Sequence, residues 1–136
     1  MKRKVVGFSL LELMVVVVII GILSSGGIFL YITVIKNAAK EAAEANTSAI
    51  HLVQQEYKSN YGSYYYTTSC QAQGTQQIIT NLMDDDASLL KSDFDYCITG
   101  DQNKDTFVIK AHHKNNVTNN CEIHRNEKNE VEYKNC

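Results

Sequence analysis

Glu12 opens a run of side chains that could otherwise lie in lipid: from Leu13 to Ile35 the chain has 23 residues without a charge. A carboxylate within a membrane costs about 2.5–3.5 kcal/mol on insertion scales and needs a partner. The basic string Lys2-Arg3-Lys4 lies upstream, with Gly7-Phe8 between it and the acid. An ordinary secretory signal is cut at small residues after its apolar part. Here Ser24-Ser25-Gly26-Gly27 is the candidate, and cutting there would leave half the run behind. A junction between Gly7 and Phe8 instead retains the whole run and creates a free amine at Phe8, four residues before the carboxylate. On a helix, amine and carboxylate at that spacing can meet within one chain. In chains packed with a vertical offset, the carboxylate of one neutralises the amine of its neighbour. The alternative is a plain anchor whose Glu12 snorkels to the headgroups.

Other residue types capable of chemistry lie further along. Cys70, Cys97, Cys121 and Cys136 all follow residue 69, and none forms a CxxC or a zinc-like Cys/His spacing. An even count in a small head reads as two disulfides in an oxidising compartment. Asp101-x-Asn103-x-Asp105 copies the first half of a calcium loop, but Thr106 stands where the turn glycine belongs and no Glu arrives at the twelfth position. It is a weak candidate. Asp84-Asp85-Asp86 reads as a solvated turn or helix end. His112-His113-Lys114, with Arg125, is a candidate basic patch for DNA, against the simpler reading of an exposed strand end. Asn46-Thr47-Ser48 and Asn116-Val117-Thr118 are glycosylation sequons by pattern, the first in mid-helix near its apolar face. No nucleophile–base pair, phosphate loop or paired carboxylate assembles, so catalysis is not expected, nor is a cofactor.

These residues need elements to hold them. At 136 residues the chain has room for one domain, with about a hundred residues left for a soluble core once the apolar run is set aside. Without Lys2-Arg3-Lys4 the remainder carries ten basic and fifteen acidic residues, a net of −5, which disfavours general binding of nucleic acid. An apolar segment of this length spans a bilayer as a helix, and the basic residues before it stay on the cytoplasmic side. Beyond it the helix continues. Ala38, Ala42, Ala45, Ala49, Leu52 and Val53 share a face, extended by Ala39, Ala43, Ile50 and Tyr57. Lys36, Lys40, Glu41, Glu44, Thr47, His51, Gln54 and Lys58 lie on the opposite arc. One helix of about 50 residues would span roughly 75 Å, stopping at Gly62. Its Ala-rich stripe suits docking of a sheet. Tyr61, Tyr64, Tyr65 and Tyr66 read as an amphipathic cover between helix and sheet, with a stacking platform as the alternative. Residues 75–91 read as a loop with a short helix whose apolar side is Ile78, Ile79, Leu82 and Met83. Strands are expected at Phe94–Thr99, Thr106–His112, Cys121–Arg125 and Glu130–Tyr133. A last hairpin centred on Lys128-Asn129 sets Cys121 opposite Cys136, which pairs those two and leaves Cys70 to Cys97. Sequence alone permits three connectivities.

The stretch from Gly7 to Leu23, GFSLLELMVVVVIIGIL, resembles the N-terminal signature of type IV pilins and the related pseudopilins. It has a short basic leader, Gly before the cut, Phe after it, Glu at the fifth mature position and Gly at the fourteenth. The resemblance covers residues 1 to about 35, and the rest only in outline, including Tyr61-Gly62-x-Tyr64 after the helix. It implies that a prepilin peptidase cuts between Gly7 and Phe8 and methylates the new amine. It also gives Glu12 the role of neutralising a neighbour's amine. One departure stands out. Phe29 occupies the usual proline position, and the chain has no proline. Gly21, Gly26 and Gly27 then mark the weakest part of the helix, since each interior Gly costs about 1 kcal/mol relative to Ala. That part either unwinds in a filament or packs closely through small residues.

Taken together, the expectation is an α+β chain, a long helix packed on a small antiparallel sheet of about four strands. Residues 1–7 are a cleaved leader, 8–35 the membrane and filament-core helix, 36–60 its amphipathic continuation, and 61–136 a disulfide-braced head. The resemblance implies a structural subunit, a major pilin that polymerises with itself into a type IV pilus for adhesion, motility or DNA uptake. Before assembly it is stored in the inner membrane with its head in the periplasm, and afterwards it forms an extracellular filament. Its partners are further copies, the prepilin peptidase and the assembly machinery, with surface or DNA ligands left open. The alternatives are a minor pilin or type II secretion pseudopilin, and, from another class, a monomeric membrane-anchored binding protein.

Overall fold

With no proline to break it, the apolar run and the Ala-rich segment form one continuous helix, α1 (Leu10–Tyr61), in the computed structural model, which describes residues 7–114 and 120–136. By contacts the chain falls into two compact units, Met1–Ala38 and Ala39–Cys136, and α1 contributes to both. In the first unit α1 is long and apolar enough to cross a membrane, and none of its most apolar window is buried. It runs helically through Gly21, Gly26 and Gly27. Ser24 and Ser25 donate their hydroxyls back to the Ile20 and Ile22 carbonyls at 2.7 and 2.8 Å. The basic leader string lies outside the described residues, as does the sequon at Asn116.

In the second unit α1 ends where Gly62 adopts φ +79° and donates its N–H to the Lys58 carbonyl, a left-handed stop that glycine accepts without strain. The chain continues through α2 (Ala72–Leu82), a 3-10 turn at Ala87–Lys91 and four strands: β1 (Phe94–Asp101), β2 (Thr106–His113), β3 (Glu122–Asn126) and β4 (Val131–Lys134). The sheet is antiparallel in the order β1-β2-β3-β4, giving the expected α+β architecture. Its inner face, with Tyr96, Ile98, Phe107, Ile109, Ala111 and Ile123, forms the core with Ala43 and Ile50 of α1 and Ile78, Ile79 and Leu82 of α2. The outer edge of β1 is closed by threonines. Tyr96 N–H donates to the Thr75 hydroxyl, Ile98 N–H to the Thr67 hydroxyl, and Thr67 N–H to the Ile98 carbonyl. Backbone that would otherwise template another strand is thereby satisfied.

Two details differ from expectation. The docked stripe of α1 is Ala43, Thr47, Ile50 and Gln54, all fully buried. Ala42 and Ala45 are exposed, and Leu52 is 68% exposed. The face that docks is the one whose polar groups the sheet and the connection after α1 satisfy. Gln54 donates to the Tyr65 carbonyl at 2.7 Å and accepts from the Tyr65 N–H at 3.0 Å, while Thr47 accepts from Arg125. The second difference is the last hairpin, which pairs Glu122 with Lys134 and Arg125 with Val131. That register sets Cys121 one residue away from direct opposition to Cys136. Its turn has three residues, closed by Asn126 N–H to the Glu130 carbonyl, with Asn129 at φ +66°. A type I turn followed by a left-handed residue is the usual three-residue connection, and Asn tolerates that conformation.

Candidate functional site

Helix α1 begins immediately after Ser9, whose carbonyl accepts the N–H groups of Glu12 and Leu13 at 3.1 and 3.2 Å. Glu12 therefore sits in the first turn, where the helix dipole favours an anion and disfavours a cation. An amine created at Phe8 would lie at that same positive end and would need a counter-charge. Phe8 is 82% exposed, Glu12 is exposed, and among the described residues the Glu12 carboxylate has no ion-pair partner. From Leu10 to Ile35 the described apolar side chains are exposed to solvent. So continuous an apolar surface needs lipid or protein against it. A Cβ built at Gly21, Gly26 or Gly27 would meet nothing within 4 Å, so no contact within the described chain requires these glycines.

The second unit carries the remaining candidates. Two disulfides join Cys70 to Cys97, with Cα atoms 4.8 Å apart, and Cys121 to Cys136, at 4.4 Å. They close separations of 27 and 15 residues, and each would stabilise a small head by about 3 kcal/mol through the unfolded chain. The calcium-like loop is occupied by local bonds. Asp101 accepts from the Asn103 N–H at 3.0 Å and Asp105 pairs with Lys58. Asp86 caps the 3-10 turn by accepting from Ser88 N–H, while Asp84 and Asp85 take left-handed conformations. Asn46 is held in the helix–sheet contact by donating to the Tyr96 hydroxyl at 2.8 Å, so its sequon is not presented as an open loop. Among the tyrosines, Tyr64 is buried 4.5 Å from the Phe107 ring, whereas Tyr61 is 71% exposed against Tyr57.

The proposed basic patch does not assemble. His112 faces Glu122, His113 packs edge-on to Phe94, and Lys114 donates to the Leu90 and Ser92 carbonyls. Arg125 alternates onto the inner face and is buried against α1. The outer sheet face instead holds Glu122 between two imidazoles, His112 Nδ1 at 3.2 Å and His124 Nε2 at 3.1 Å. Burial holds the His124 imidazole below its usual range. The nearby Lys134 and Lys110 add to this, and Glu122 only partly offsets it. Burial pushes the Glu122 carboxyl up, but hydrogen bonding and charge from His124 and His112 outweigh it and leave the group below its usual range.

Both shifts have the same consequence for stability. The folded head binds fewer protons than the unfolded chain at each group, so stability is complete above the unfolded values and lost on acidification. The His124 contribution declines as pH falls from 6.5 toward its lower folded value, and that of Glu122 as pH falls from 4.5 through its own. Thermal unfolding of the head is expected to be flat from pH 7 to 8 and to weaken in two stages below. His124→Gln should flatten the first stage; an unchanged profile would contradict this assignment.

Residues 3–28 match the family model of the prokaryotic N-terminal methylation motif, the class III signal peptide of type IV pilins, consistent with a prepilin. No curated protein and no solved structure gives a significant match to the chain. The motif is one that type IV pilins and pseudopilins carry, and the match is confined to the N-terminal segment of this chain. It implies processing by a prepilin peptidase and pilus assembly, and with the apolar helix it implies membrane anchoring before assembly.

Proposed function

We propose that this chain is the prepilin of a major type IV pilin. A prepilin peptidase removes residues 1–7 and methylates the Phe8 amine. The mature subunit waits in the inner membrane, held by residues 8–35 with its head in the periplasm, and then polymerises into an extracellular filament. The observation that carries this reading is the exposed apolar helix with a single carboxylate, five residues beyond the cut, inside the matched motif. In lipid the carboxylate is unpaired. Alongside a second copy it meets the amine of Phe8, so assembly removes the penalty that storage imposes. The apolar surface that lipid covered is then covered by neighbouring helices, and the disulfide-braced heads face outward. The chain performs no chemistry; work comes from the assembly machinery.

Shearing producing cells and weighing the released protein tests the reading. An abundant sheared band beginning at Phe8 supports a major pilin. A trace band points instead to a minor pilin or pseudopilin, and no sheared material to a lone anchored binding protein.

A further inference from the structure

We propose that Cys70, Cys97 and His112 form a metal site that opens when their disulfide is reduced, with zinc(II) as the expected ion. One ligand atom from each of the three lies within 4.8 Å of the others. His112 Nδ1 is engaged by Glu122 Oε1 at 3.2 Å. Among the described residues, the other ring nitrogen, Nε2, is buried with no hydrogen-bond partner, an unfavourable state for a polar atom. With Nδ1–H donating to the carboxylate, Nε2 carries the lone pair. This is the tautomer a metal needs, and a carboxylate on the far nitrogen is the usual outer support of a metal-bound histidine.

Two thiolates and one imidazole are three ligands of a tetrahedral zinc site, with a fourth position left to water. Zn–S bonds of about 2.3 Å at tetrahedral angles place the sulfurs roughly 3.8 Å apart, so the two sulfurs, bonded to each other in the bridge, must move apart once it is reduced. Cys97 lies in β1, fixed by its pairing with Lys110, and His112 is fixed in β2 opposite Asp95. Cys70 lies in the connection before α2 and is only half-buried, so it is the ligand free to adjust. The other bridge has no comparable surroundings: among the described residues, this is the cluster in which three such groups converge.

The bridge itself is the gate, because disulfide sulfur is a poor ligand and thiolate a strong one. A dithiol reductant gives two electrons to the Cys70–Cys97 bond and leaves as its own disulfide, yielding two thiols. Zinc then displaces both thiol protons to solvent, and its charge is balanced by two thiolates beside neutral His112. Neither step depends on the filament reading.

The test uses the full-length protein in detergent micelles, reduced under anaerobic conditions with a water-soluble phosphine, which is itself converted to the phosphine oxide. Cobalt(II) serves as the probe, with zinc in competition. Reduced protein should bind one cobalt per chain with a thiolate-to-metal charge-transfer band, and oxidised protein should show none. His112→Ala should weaken zinc binding by about 10- to 100-fold and Glu122→Gln by about 10-fold. If reduction unfolds the head, zinc should restore its far-ultraviolet circular dichroism in the native sequence and fail to do so in His112→Ala. The proposal is overturned by absence of stoichiometric binding with no zinc-dependent refolding, by affinity indifferent to His112→Ala, or by binding that survives Cys97→Ser.

Discussion

Glu12→Gln is expected to leave the subunit processed and membrane-inserted but to cut the sheared filament fraction by roughly two orders of magnitude. Two effects act in the same direction. Glutamine lowers the penalty of residence in lipid, which for an unpaired carboxylate is about 2.5–3.5 kcal/mol. It also removes the counter-charge that a neighbour's Phe8 amine would find in the filament, leaving that amine at the positive end of its own helix. Each 1.4 kcal/mol is about tenfold in an equilibrium, so even a partial loss of the charge term depletes the polymer strongly. Glu12→Asp keeps the charge on a shorter arm and should retain a measurable fraction. The N-terminal mass of the membrane-held variant should still begin at Phe8, which separates failure of assembly from failure of cleavage. Fibre yield unchanged in Glu12→Gln would remove the physical basis of the proposed assembly.

The elements of this fold were largely legible in the sequence because each rests on a local signal. The uninterrupted apolar run, the Ala-rich continuation and the stop at Gly62 specify α1. The alternating segments fall within one or two residues of β1 to β4. What local pattern could not give was the face of α1 that docks. A hydrophobicity count favours the stripe of Ala42, Ala45, Ala49 and Leu52, with Ala43 and Ile50 at its margin. Yet it is Ala43 and Ile50 that are fully buried, together with Thr47 and Gln54 from the arc expected to face outward. The partners of these last two come from Arg125, distant in sequence, and from the Tyr65 backbone beyond the end of α1, and no helical projection contains them. The hairpin register failed by one residue for a similar reason. It was decided by the left-handed conformation of Asn129, which the loop composition permits without requiring. At the candidate site, the spacing of Gly7, Phe8 and Glu12 is local information along the chain, and the roles proposed for them rest on that spacing. The imidazoles around Glu122 were not legible, since they meet only once β2 and β3 pair.

Arg125 was also misplaced by sequence reasoning, and it is expected to matter most to the stability of the head. Its side chain reaches across the core-facing side of β3 with Nε on Thr47 Oγ1 at 3.1 Å, Nη1 on Asn129 Oδ1 at 2.6 Å and Nη2 on the Glu44 carbonyl at 3.3 Å. The residue is 6% exposed. One guanidinium therefore fixes the α1 segment at Glu44–Thr47, strand β3 and the last turn at once, which the fork of Arg permits and a lysine ammonium does not. Glu44 completes the contact by accepting from the Tyr133 hydroxyl at 2.5 Å, so β4 is tied to the same helical turn. Truncation in Arg125→Ala would leave the Thr47 hydroxyl and the Glu44 carbonyl without these donors and open a cavity beside them. Losing one member of such a buried, charge-assisted set costs about 3 kcal/mol. For a domain of this size each kcal/mol lowers the melting temperature by roughly 4–8 °C, so a fall of about 12 °C or more is expected in thermal unfolding followed by circular dichroism. Arg125→Lys should recover only part of it, because one ammonium cannot reach all three acceptors. A melting temperature within two degrees of the parent for Arg125→Ala would mean that the clamp adds nothing beyond surface contact, and that the polar stripe of α1 is held by Gln54 alone.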